Sequence, residues 1–185
     1  MIAAFARRTA LLLGAAGLVL LAQGLWIPAK AEVAQLLLAR AFERSVASGE
    51  PRKPWPWADT VPVARIEAPR LGIREVVLAG GSGEAMAFGP AELAGLPRGV
   101  RVLAGHRDTH FRFLRDLRGA DTLVLRGVDG SATRYRVVGF ATVRWDRFAY
   151  PLASARPLLA LATCYPFDAQ GPGPLRRVVW AERIA

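Results

Sequence analysis

The sequence predicts a mostly β domain, a closed barrel or a sandwich, carried behind an apolar helical segment. Two patterns predict it. Behind Pro62 the chain falls into seven short strand-like runs punctuated by Gly, Pro and Asp, the texture of an all-β domain. Ahead of Pro62 lies an uncharged apolar stretch and then a Pro-rich connector. The 185 residues leave room for one ordinary domain and an attachment.

The attachment comes first. Arg7 and Arg8 close a short N-terminal segment, residues 1–8, and residues 9–27 read TALLLGAAGLVLLAQGLWI with no formal charge. Such a run, at about 1.5 Å per residue, rises about 28 Å, close to a bilayer's hydrocarbon thickness. Trp26 stands at its far end, where an interfacial aromatic belongs, and the two arginines place the N-terminus in the cytoplasm with the rest outside. Ala29-Lys30-Ala31 offers an A-x-A cleavage site, but the apolar run exceeds the length of a signal-peptide core. Either reading exports the domain.

Residues 28–62 form the expected connector. Val33, Leu36, Leu37 and Phe42 recur at helical spacing between Glu32 and Arg44. Pro51, Pro54, Pro56 and Pro62 then preclude regular structure, leaving Trp55 and Trp57 to pack on the domain or to meet the membrane interface.

Residues 63–185 make the domain. Strands are expected at 63–67, 74–79, 100–104, 122–126, 133–143, 158–163 and 177–183. The stretch TRYRVVGFATVRW alternates polar and apolar residues, as a half-buried strand does. Asp129-Gly130 between two such runs marks a hairpin. Helix is expected only around 85–93 and at the turn FRFLRDL.

The net charge of +10 comes almost wholly from arginine. These arginines are scattered through strand-like runs with no aromatic-rich basic motif, which argues against nucleic acid and suits a protein held near anionic lipid.

Three residues at strand ends carry the chemistry. Cys164, the only cysteine, ends the apolar run LLALATC. It can form no intramolecular disulfide and no Cys-rich zinc site. Taken singly it reads as a small buried hydrophobe, and His106, after RVLAG, as a strand-end histidine. With an arginine on the following strand the set suits acyl transfer. A thiolate attacks, a cationic imidazole stabilises it and later protonates a departing amine, and a guanidinium holds an oxyanion without acting as a base. Arg176 and Arg177 are adjacent, so alternate strand positions point them to opposite faces.

The motifs AGHRDTHFRFL, LATCYPFD and RRVVWAE, in that order, resemble the sortases, membrane-anchored cysteine transpeptidases, and within them the branch from Gram-negative bacteria. The resemblance implies an eight-stranded β-barrel with short helices behind a transmembrane helix. It implies Cys164 as nucleophile, His106 as acid/base, and Arg176 as the oxyanion and substrate stabiliser, with Arg177 the lesser choice. Arg176 has Ala181 five positions on, which fits the family register. Ala160 departs from the family, which commonly has Thr there. The resemblance further implies cleavage of an LPxTG-like sorting signal through a thioacyl intermediate and transfer to an acceptor amine. The expected partners are therefore that protein substrate, the amine and the bilayer, with no cofactor and no metal. The expected location is the inner membrane, single-pass, with the catalytic domain on the extracytoplasmic side. Asp108, Thr163, Trp145, Phe148 and Tyr150 are the expected substrate-binding residues.

Two rivals follow from the same residues. His106, Asp108, His110 and Cys164 offer metal-ligand types, but i,i+4 histidines share a face only on a helix, and His106 ends a strand. An inert Cys164 would instead leave a non-catalytic anchored envelope domain that binds a partner.

Overall fold

The computed structural model describes residues 2–149 and 156–184. The N-terminal unit is helical from Ile2 onward, and a second unit begins at Leu37. Helix α1 runs unbroken over Ile2–Ser48, where the sequence suggested a span ending at Ile27 and a separate helix from Glu32. Pro28 contributes no N–H to the ladder at that point. The Ala- and Leu-rich turns on either side are strong helix formers, and they outweigh one interior proline, which costs about 3 kcal/mol. Among the described residues α1 alone is long and apolar enough to cross a membrane. Leu11, Leu13, Leu18, Leu21 and Trp26 all face outward.

Eight strands close into a barrel: β1 Pro62–Ala68, β2 Ile73–Ala79, β3 Ala91–Glu92, β4 Val100–Ala104, β5 Thr122–Gly127, β6 Ala132–Arg144, β7 Leu158–Tyr165 and β8 Leu175–Ile184. Their order around the wall is β1-β2-β3-β4-β7-β8-β6-β5. All seven strands expected from the sequence are present. The eighth, β3, lies inside the stretch expected to be helical. Helix α2 covers only Gly83–Phe88, with the Ser82 hydroxyl accepting from the Ala85 N–H. It ends before Pro90, and two residues then bridge β2 and β4. Asp129-Gly130 turns the β5–β6 hairpin, with Gly130 at φ 81° and the Asp129 carboxylate accepting from the Ser131 N–H and hydroxyl.

The interior is filled by inward positions of successive strands, among them Ile66, Val77, Leu103, Leu125, Leu159, Leu161, Val179 and Ala181, closed by Phe111, Phe113 and Leu114. On β7 the parity decides the site. Leu159 and Leu161 enter this core, whereas Ala160 faces the outside of the wall. There it packs in a second cluster with Val102 and Val178, against Ala162, Phe148 and Trp180. Cys164 has the parity of Ala160 and Ala162, so it belongs to the outer face. Alanine at both positions keeps that face shallow beneath the cysteine.

Of the two connector tryptophans, Trp55 meets Phe88 edge-on at 5.2 Å between centroids. Trp57 stays exposed. Some of the scattered arginines are paired across the barrel surface: Arg65 with Glu43 and Glu67, Arg70 with Asp121, Arg101 with Glu92, and Arg126 with Glu67.

Candidate active site

The strand pairing assembles the site. Strands β4 and β7 run parallel with Ala104 beside Ala162, and the Gly105 N–H continues the ladder to the Ala162 carbonyl at 3.2 Å. Two residues further along each strand come His106 and Cys164, neighbours on one face. Gly105 leaves room at the bend for Phe111, whose ring a Cβ there would approach to 3.0 Å. Strands β7 and β8 are antiparallel with Cys164 opposite Arg176 and Thr163 opposite Arg177. Directly opposed residues share a face.

Cys164, His106 and Arg176 accordingly line one groove of about 380 Å³. Its floor is Val102, Ala104 and Ala162, and its rims are Met86 and Leu93 on one side and Trp145 and Phe148 on the other. Phe148 stacks on Trp180 at 5.7 Å with ring planes 10° apart, while Trp145 is 63% exposed. A second cavity, of about 560 Å³, also meets His106 and Cys164 and is otherwise lined by Arg107, Asp108, Ala169, Gln170, Gly171 and Pro172. Cys164 is half-buried, so its thiol meets both cavities rather than the core.

The two adjacent arginines part company. The Arg176 Nη1 donates to the carbonyls of Gly173 (2.7 Å) and Leu175 (2.9 Å), which fixes its guanidinium at the groove. Arg177 lies on the other face, its Cζ 4.9 Å from the Phe140 ring centroid.

Of the expected substrate-binding residues, Trp145 and Phe148 flank the groove and Asp108 borders the second cavity. Thr163 also lines the groove and has a second part in it. It is buried, and its hydroxyl donates to the Gly105 carbonyl at 2.7 Å, so it ties β7 to the bend that carries His106. Tyr150 lies outside the described residues.

His110 is not beside His106. Its Nδ1 lies 2.9 Å from Glu75 Oε2 on β2. No group of three or more His, Cys, Asp or Glu side chains fit to hold a metal occurs among the described residues. Three residues at the two cavities carry no sequence signature of their own: Met86, Leu93 and Arg107, the residue after His106. Arg107 is only 5% exposed, and the only signal for it was its place in the GHRD motif.

Fold and groove define a class: a closed eight-stranded barrel with a cysteine, a histidine and an arginine gathered at three strand ends on one wall. The sortase-domain profile matches residues 66–184, and the chain belongs to the sortase family. Sortase D of Bacillus subtilis (strain 168) is 37% identical over 87 residues, which are 46% of this chain and 43% of that protein. The match thus spans less than half of that relative's length. Among solved structures, sortase A from Corynebacterium diphtheriae superposes with a TM-score of 0.60 at 23% identity, covering 70% of this chain and 63% of that one. Sortase C-1 from Actinomyces oris gives 0.56 at 25%, covering 67% and 75%. The barrel expected from the motifs is the architecture these structures share.

Proposed function

We propose that this chain is a cysteine transpeptidase that cleaves an LPxTG-like sorting signal and transfers the upstream protein to an acceptor amine. The observation that carries it is the meeting of Cys164, His106 and Arg176 in one solvent-open groove. An inert cysteine would be sealed in the core, and this one is not.

The chemistry follows from the placement. The Cys164 sulfur, its proton taken by His106, attacks the scissile carbonyl carbon, and the developing oxyanion meets the guanidinium of Arg176. Arg176 is tethered through Nη1, which leaves Nε and Nη2 to donate. Collapse of the intermediate breaks the C–N bond, and the leaving amine takes its proton from His106. The acceptor amine then gives a proton to the neutral imidazole and attacks the thioester carbonyl, and the C–S bond breaks to return the thiolate. The apolar groove, walled by Phe148 and Trp145, suits the sorting signal. The second cavity at the same pair, with the Asp108 carboxylate at its edge, gives the amine its approach.

The finer placement in the branch from Gram-negative bacteria rests on the spelling of the three motifs. Arg7 and Arg8 ahead of the apolar run of residues 9–27 support an inner-membrane anchor with the barrel outside.

The decisive assay incubates the protein with a library of LPxTG-like peptides and an amine, with Cys164→Ala as control. The expected result is a ligated product and a trapped thioester only with Cys164 present. Equal product from both proteins removes the enzyme reading.

A further inference from the structure

The second cavity is bounded by the loop between β7 and β8, residues 166–174; Arg176 and the Trp145 N–H hold its far end at Gly173 and Pro174, and Arg107 holds the part that follows Cys164. The Arg107 Nη1 donates to the Pro166 carbonyl at 2.9 Å, and its Nη2 donates to the carbonyls of Ala169 and, at 2.8 Å, Gly171. Its Nε reaches Asp108 Oδ1 at 3.2 Å. Four of the five guanidinium donors are thus engaged. A buried cation is tolerated only when bonded in this way. The planar fork of arginine reaches three carbonyls that diverge around it, which a lysine ammonium on a flexible stem does not.

We propose that Arg107 is a positioning residue that sets the spacing of the His106–Cys164 pair. This assignment rests on the acyl-transfer reading of that pair. Arg107 is joined to His106 by one peptide bond, and the loop it grips begins two residues after Cys164. The side chain therefore spans the cleft from the histidine side and holds the nucleophile's own downstream backbone. Thr163 makes the matching tie on the upstream side, to Gly105. Between them the two side chains fix the ends of β4 and β7 against each other where the proton must pass. Released from Arg107, the loop carbonyls turn to water, the wall of the second cavity opens, and the imidazole loses its fixed distance from the sulfur. A misplacement of about 1 Å at such a pair costs about 10²-fold in rate.

The test uses the full chain with Arg107→Ala and Arg107→Lys beside the parent. Three quantities are read: the melting transition, amide hydrogen exchange across residues 166–174, and the pH profile of Cys164 alkylation by iodoacetamide. In Arg107→Ala the loop amides exchange at least about tenfold faster than in the parent, and the alkylation profile moves along the pH axis. With an LPxTG-like peptide, kcat falls by about 10²-fold while KM changes little. Arg107→Lys keeps the charge and gives intermediate values. A folded Arg107→Ala protein with parental loop exchange and a parental alkylation profile overturns the assignment. If Arg107→Ala does not fold, the same parental pair of readings in Arg107→Lys overturns it. Should the parent turn over no peptide, the transpeptidase reading falls, while alkylation and exchange still judge Arg107.

Discussion

At the scale of single residues, the register of β8 against β7 separates two arginines that composition and hydropathy treat alike. Arg176 sits opposite Cys164 and shares its face, whereas Arg177 sits opposite Thr163 and turns toward Phe140. Removing an oxyanion donor costs about 10²–10³ in kcat. Arg176→Ala is therefore expected to lose about that much, with the protein still folded, while Arg177→Ala stays within a few-fold of the parent. Steady-state peptide turnover by both variants checks the pair, and a larger loss at Arg177 would reverse the assignment. That the two part was legible in the sequence, because strand parity sends neighbours to opposite faces; which of them faces the cysteine was an expectation from the family register that places Ala181 five residues after Arg176. The tie from Thr163 to Gly105 was not legible, and neither was the grip of Arg107. Both depend on carbonyls contributed by segments 58 to 64 residues away. A local pattern carries no trace of which distant backbone oxygens will converge on a donor.

At the scale of elements, the strands with β-branched and apolar alternation announced themselves, and Val100–Ala104 has the bounds the sequence suggested. Strand β3 did not, since two residues are too few to show a period of two. Its place is instead set by neighbours, with the Leu78 N–H bonded to the Pro90 carbonyl and the Leu93 N–H to Val102. Another tie between elements makes a pH prediction. Arg70, in the turn after β1, donates to both carboxylate oxygens of Asp121 at 2.6 and 2.7 Å, and the Arg118 N–H adds a third bond at 2.7 Å. The Arg70 hydrogen bond is the main cause that holds the Asp121 carboxyl below the ordinary aspartate value, against the opposing effect of burial. A carboxylate with a depressed native pKa adds stability that is present above its unfolded pKa, about 3.9, and that disappears as pH falls through the native value. Asp121→Asn is therefore expected to be less stable than the parent at neutral pH, with the gap closing below about pH 4. Urea unfolding of both proteins at neutral and acid pH measures it. A gap of constant size at every pH would mean that the ionised form of Asp121 contributes nothing.

At the scale of the whole molecule, the question is where the folded domain begins. The sequence drew that line at Val63, after the prolines, because strand patterning starts there. The packing draws it earlier. Within the unit that starts at Leu37, the last turns of α1 bury Leu38, Ala41, Phe42 and Ser45. Leu38 joins Leu78 and Ala85 in a cluster outside the barrel, with Trp55, Val76 and Phe88 packed around it. Arg65 on β1 bonds Glu43 at 2.7 Å and places its guanidinium 4.8 Å from the Phe42 ring centroid. The Ser45 hydroxyl accepts from the Arg52 N–H at 2.8 Å, turning the chain out of the helix and back to the barrel. Burying a side chain such as Leu38 or Phe42 contributes about 1.5–3 kcal/mol, so losing both forfeits about 3–6 kcal/mol. That is a large share of the roughly 5–15 kcal/mol that stabilises an ordinary domain. A protein starting at Leu37 is therefore expected to fold with a denaturant midpoint close to that of the full chain in detergent. One starting at Pro62 keeps every strand, yet it is expected to unfold at a much lower midpoint, with its β1–β2 face exposed. Equal midpoints for the two truncations would show that the helix end merely rests on the barrel, and would return the domain boundary to the prolines.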